Sequence, residues 1–299
     1  MEPGPVARYR ELVPCDALKR YVRAFFSFTP ETDRTPSNRL ITFEVVFGRG
    51  DSFSSPMFAD GHASIVFDLG LACHLDGVWR PDAFGGRIIG PMTRVDSAQD
   101  GKRPAMVGAY LHAGHILSIA RVMPCELTDK VVTTENVWNG TGSELAVELS
   151  ELNEPQRIDR LEGLMIRRIR QSRISNSQVD IPKLADSVHQ CAGRVTIEDL
   201  ANSAGVSRQH LTRLFRESVG ISPKLYCRLA RFQSGLTYAG HGKTVDWAQA
   251  ALAMGYSDQS HMIGEFREFS SLTPQRLATE RWFHPFIEHA RICLRPRTA

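Results

Sequence analysis

The side chains best suited to bind a ligand lie in one short stretch, SRQHLTRLFRE, residues 207–217. Leu211, Leu214 and Phe215 fall at i, i+3 and i+4, so on a helix they form one apolar stripe. Arg208, Gln209, Thr212, Arg213 and Arg216 take the remaining surface. A guanidinium pairs with guanine O6 and N7, and a glutamine amide pairs with adenine N6 and N7. All five side chains can also reach phosphate oxygens. The chemistry these residue types suit is readout of duplex DNA.

Other reactive residue types form no comparable set. His112 and His115 make an H-x-x-H, and His62, His74, Asp68 and Glu44 occur among strand-like runs. An H-x-x-H that straddles a strand end and a glycine turn fixes no ligand geometry, so ordinary satisfied or surface histidines are expected, with no metal and no cofactor. The six cysteines, Cys15, Cys73, Cys125, Cys191, Cys227 and Cys293, include no C-x-x-C pair and imply no disulfide framework. Nothing near Cys73 or Cys125 marks a reactive thiolate. No G-x-S-x-G or H-E-x-x-H is present, and no catalytic residue is assigned.

The element that must present 207–217 is repeated. VTIEDLANSAGVSRQHLTRLFRE (195–217) resembles DWAQAALAMGYSDQSHMIGEFRE (246–268). Ala201, Gly205, Ser207 and Gln209 match Ala251, Gly255, Ser257 and Gln259, and the second copy then gains one residue before Phe266-Arg267-Glu268. Each copy has a small residue where two helices would cross, then a glycine suited to positive φ, then a cap: Ser207, or Ser257 or Asp258. This is the chemistry of a helix-turn-helix. Between the copies, KLYCRLARFQSGLTYAG (224–240) has Leu225, Leu229, Phe232 and Leu236 on one helical face. A rigid connecting helix there would set two recognition helices about one DNA turn apart, roughly 34 Å.

Composition agrees with this reading without requiring it. The 299 residues carry 42% hydrophobic and 23% charged side chains, ordinary for a globular protein of about two domains. Residues 181–299 hold 15 Lys and Arg against 10 Asp and Glu, a net of +5, while 1–180 sum to −2. No apolar run approaches a membrane span, and the start shows no signal h-region, so a cytoplasmic location is expected. Upstream, ITFEVVFG (41–48), ASIVFDLG (63–70) and MVGAYLH (106–112) read as strands. DALKRYVRAFFSF (16–28) reads as a helix capped by Asp16, from its Leu18, Tyr21, Val22 and Phe25 stripe. ELAVELSEL (144–152) and RLEGLMIRRI (160–169) also read as helices, and SRISNSQVDIP (172–182) as a linker.

GVSRQHLTRLF (205–215), VGISPK (219–224), LARFQ (229–233), GYSDQSH (255–261) and EFREFSSLTP (265–274) resemble the AraC/XylS family of bacterial transcription regulators in order and spacing. The resemblance covers about 90 residues. It implies an all-α DNA-binding domain with two helix-turn-helix motifs. Carried over position by position, the base-reading places fall on Gln209, Thr212 and Arg213, and on Gln259, Ser260 and Gly264. Arg208, Arg216 and Arg267 suit phosphate contacts. Gly264 departs from the family, in which many members place a base-contacting arginine there. YRELVPCDALKRYVRAFFSF, MFADGHASIVFDLG, VGAYLHAGHI and ELTDKVV resemble the N-terminal domain of a poorly characterised AraC-like subgroup. That implies an α+β N-terminal domain, β-rich and possibly cupin-like, with trailing helices.

The expected organisation is an effector-binding or dimerisation domain (1–171), a linker (172–182), a DNA-binding domain (183–287) and a tail (288–299). Double-stranded DNA is the expected partner. The resemblance adds RNA polymerase, a small-molecule effector and a homodimer as possible partners, and activation as the usual sign of regulation. The competing reading is a DNA-repair or other enzyme that carries an AraC-like module to deliver it to DNA.

Overall fold

In a computed structural model, the described residues are 7–30, 41–47, 58–74, 85–95, 102–138, 140–172, 179–239 and 245–279. The expected tail, and the side chains of Glu44, Cys73 and His74, lie outside what is described.

The first half is built on one antiparallel sheet. Its strands are β1 (Ala7–Leu12), β2 (Val22–Pro30), β3 (Ile41–Phe47), β4 (Ser64–His74), β5 (Gly85–Ile89), β6 (Lys102–Leu111) and β7 (Val131–Thr133). They lie in the order β3-β1-β2-β6-β4-β5-β7. The three runs read as strands fall on β3, β4 and β6. Helices α1 (Ile116–Ala120), α2 (Pro124–Leu127), α3 (Thr134–Trp138), α4 (Gly142–Glu151) and α5 (Glu154–Gln171) follow. The result is the expected α+β unit with trailing helices.

One expectation fails. Residues 16–21 form a turn, and Val22 begins a strand instead of continuing a helix. The apolar stripe is real but straddles two structures. Leu18 is buried in the turn, while Val22 and Phe25 belong to a strand hydrogen-bonded on both sides. Phe25, Phe26 and Phe28 are all buried, so β2 is covered on both faces. A strand enclosed in that way loses the alternation that would have revealed it.

A buried carboxylate ties sheet to helices. Glu154, at the first position of α5, accepts from Arg10 of β1 at 2.9 Å and from Ser27 of β2 at 2.7 Å. Its charge also suits the helix N-terminus.

The second half is helical: α6 (Ile181–Gln190), α7 (Ile197–Ser203), α8 (Arg208–Val219), α9 (Pro223–Ala239), α10 (Trp247–Ala253), α11 (Gln259–Ser270) and α12 (Pro274–Thr279). Helix α6 starts inside the segment read as linker, because Val179 and Ile181 are buried in the helical core and Asp180 caps the helix. That core centres on Phe215, Tyr226, Phe232, Phe266 and Phe269. It also takes in Phe58, Ala59 and Ala113 from the first half, so the two halves share packed surface. Among the described residues, no helix is long and apolar enough to cross a membrane.

Candidate nucleic-acid interface

Each repeat folds as a helix, a turn and a second helix: α7 with α8, and α10 with α11. Ala201 and Ala251 are fully enclosed where the paired helices meet. Gly205 and Gly255 carry φ of +65° and +83°, the left-handed turn that the repeat implied. Helix α9 joins the two units, with Leu229, Phe232 and Leu236 buried along it.

The caps settle a register that the sequence left open. Ser207 caps α8 by accepting from the His210 amide. In the second copy the cap is Asp258, which accepts from the His261 amide at 2.8 Å. That amide and the Ser257 hydroxyl hold the Asp258 carboxyl below its usual range, so the cap stays charged. The caps are 51 residues apart, whereas the turn glycines are 50 apart. The extra residue of the second copy therefore sits in its turn, ahead of the helix, and not after Gln259. Gln259 occupies the place of Arg208, and Ser260 that of Gln209. Gly264 occupies the place of Arg213, and Arg267 that of Arg216.

On α8, Arg208, Gln209, Arg213 and Arg216 are exposed, opposite the buried Leu211 and Phe215. Arg213 rests on Glu217 at 2.9 Å, with its other terminal nitrogen 3.3 Å from His210 Nδ1. Arg208 lies 3.7 Å from Glu198 of α7. Exposed pairs of this kind are worth about 0–1 kcal/mol, so both arginines can exchange them for another anion at small cost. The Thr212 hydroxyl donates to the Arg208 carbonyl at 2.8 Å.

On α11, Gln259, Ser260, Gly264 and Arg267 are exposed, and Met262 and Phe266 are buried. A Cβ added at Gly264 would meet nothing within 4 Å. Glycine there serves no packing need.

Sequence reasoning missed what holds α11. Glu265 is buried, and Arg228 of α9 donates to it at 2.6 Å and to Glu268 at 2.5 Å. The same guanidinium stacks on Phe269 at 4.9 Å. The only signal available was an acid–base pair 37 residues apart, which no local pattern marks. Among the described residues, no three His, Cys, Asp or Glu side chains are grouped so that they could hold an ion. His62, His112 and His115 lie instead near the seam between the halves, where burial lowers all three pKa values. Cys125 is exposed.

With that geometry in place, comparison with known proteins identifies the helical half. Residues 200–280 match the model of a helix-turn-helix domain. The chain carries an AraC-type helix-turn-helix domain at its C-terminal end. The chain is also similar to a Bacillus subtilis (strain 168) protein named as an uncharacterized HTH-type transcriptional regulator, YbfI. The two are 38% identical over 72 residues, which is 24% of this chain and 25% of the relative. The likeness thus spans about a quarter of the relative's length. Among solved structures, ToxT from Vibrio cholerae O395 aligns over 78% of this chain and 96% of its own, at 14% identity and a TM-score of 0.41. ToxT from Vibrio cholerae strain SCE256, bound to an unsaturated fatty acid, aligns over 95% and 99%, at 12% identity and a TM-score of 0.40.

Proposed function

We propose that this protein is a sequence-specific, DNA-binding transcription regulator. Its AraC-type domain would read two successive major grooves with α8 and α11. Gln209, Thr212 and Arg213 meet base edges in the first groove. Gln259 and Ser260 do so in the second, where the bare Gly264 lets backbone approach the bases. Arg208, Arg216 and Arg267 bind phosphate and fix the register. The observation that carries this reading is the repeat itself. Two capped helices, each with an exposed polar face and a buried apolar one, are joined by one packed helix. The N-terminal half acts as the controlling domain, by binding an effector or a second copy. Two buried clusters, one of the sheet with its trailing helices and one drawn mainly from residues 179–278, support a division of the chain near residues 172–182.

The decisive test is selection of bound duplexes from a random library, followed by binding measured across salt concentrations. An enriched motif with two half-sites about 10 base pairs apart is expected, with affinity falling steeply as salt rises. No enrichment together with salt-independent binding would refute the proposal.

A further inference from the structure

Both recognition helices end against the N-terminal half. The last carbonyls of a helix lack partners within it. At the end of α11, the Phe269 carbonyl accepts from the amide of Ala59 at 3.0 Å. At the end of α8, the Gly220 carbonyl accepts from the Thr128 hydroxyl at 3.0 Å. The fit at Gly220 is close. Its φ is +96°, and an added Cβ would lie 2.7 Å from the Pro124 carbonyl oxygen and 2.9 Å from Thr128 Oγ1. Gln233, on the joining helix α9, donates to the Asp60 carbonyl at 2.5 Å.

The two arms are linked through one segment, residues 90–93. The Gly61 amide donates to the Met92 carbonyl at 3.0 Å, which fixes the Ala59 arm. The Thr93 amide and hydroxyl donate to the Asp129 carboxylate at 2.7 and 2.6 Å, which fixes the Thr128 arm. The Asp129 amide returns to the Pro91 carbonyl, and the Gly90 amide to that of Lys130. Arms and crosspiece therefore form one hydrogen-bonded frame on the edge of the sheet.

We propose that this frame sets the separation of the two recognition helices, with Thr128 as a positioning residue, so that the N-terminal half fixes the half-site spacing the protein accepts. Helix α9 packs against both motifs, and Arg228 ties it to α11. The contacts from the N-terminal half add a second hold at the C-terminal end of each recognition helix, which restricts how far either can tilt. One inserted base pair moves a half-site by about 3.4 Å and turns it by about 34°. A framed pair of helices cannot follow such a change, and an unframed pair can.

The inference rests on the DNA-binding reading above, and its test uses the full chain. Affinity is measured for the selected duplex and for versions with one base pair added or removed between the half-sites. The wild-type protein should discriminate at least about tenfold against both. Thr128→Val removes the hydroxyl and keeps the shape. It should bind the original duplex within about threefold of wild type, while discrimination falls to about threefold or less. Thr128→Ser should restore the wild-type profile. Thr128→Asp places a negative charge against the negative end of α8 and should relax spacing further. Thermal melting confirms that each variant is folded. Unchanged discrimination in both Thr128→Val and Thr128→Asp overturns the proposal. So does an equal loss of affinity on all three duplexes, which marks a purely structural role. Failure of the wild type to bind any duplex would instead sink the DNA-binding reading, and this inference with it.

Discussion

At the scale of single residues, the two recognition helices differ most at Arg213 and Gly264, which the caps show to be equivalent positions. Arg213 is exposed, and its own partners are the partly exposed Glu217 and the exposed His210. Arg213→Ala should leave the melting temperature nearly unchanged, because such pairs contribute little. It should cost about 1–3 kcal/mol of specific affinity, concentrated at one base pair. A uniform loss across all sequences, with a shallower salt dependence, would make it a phosphate contact instead. At Gly264 the helix has open space around the missing side chain. Gly264→Ala should therefore stabilise the protein by up to about 1 kcal/mol in thermal or chemical unfolding. Base changes in the half-site under α11 should cost less than those under α8, because no long side chain reads them from that position.

At the scale of elements, each recognition helix needs a start and a support. Asp258→Ala removes the cap of α11 and should lower the melting temperature, while Asp258→Asn, which can still cap, should lower it less. The support of α11 is the Arg228 clamp on Glu265 and Glu268. Arg228→Ala leaves a carboxylate buried without its cation. The expected loss is about 2–3 kcal/mol in denaturant unfolding, below the usual figure for a fully buried pair because Arg228 is partly exposed. Glu265→Gln in the Arg228→Ala background should recover part of that loss, since it removes the stranded charge. The sequence showed both helices, their turns and their apolar faces, because those depend on residues three or four apart. It did not show the clamp, which joins α9 to α11 across 37 residues. It also misread β2, because a strand covered on both faces shows a run of apolar residues that can pass for a helical stripe.

At the scale of the whole molecule, the seam between the halves is rich in histidine. His62 stacks on His189 of α6 at 4.8 Å, and Tyr226 of α9 meets both rings edge-on. Burial holds His62 well below its ordinary pKa and lowers His115 and His189 to about 4. Each must shed its proton on folding at pH values below about 6.5. Their contribution is therefore complete above that pH and is lost as the pH falls toward 4, by about tenfold in the folding equilibrium per unit and per histidine. Asp60 works in the opposite sense. Burial raises its carboxyl to about 7, so it takes up a proton on folding between about pH 4 and 7. His112 is lowered in the same sense as these histidines, and Asp68 and Asp186 are raised in the sense of Asp60, each chiefly by burial. The histidines still outnumber the carboxyls, so the melting temperature should drop between pH 7 and pH 5. His189→Asn should flatten that dependence, and an unchanged profile would place the acid sensitivity elsewhere.

The sequence by itself determined the local character of this protein. The AraC-type repeat, the glycine turns, the candidate caps, the connecting helix and the exposed arginines all rest on spacings of a few residues, which chain geometry converts directly into faces and turns. Tertiary structure alone decided four further things. It chose Asp258 over Ser257 as the cap and so set the true equivalence of the two recognition helices. It made β2 a central strand. It gave α11 its arginine clamp. It brought Ala59 and Thr128 to the ends of the two recognition helices. The cap is a local choice between two neighbouring residues that both suit the role. The other three depend on groups far apart in the chain meeting once the core has closed, and no periodicity along the sequence records such a meeting.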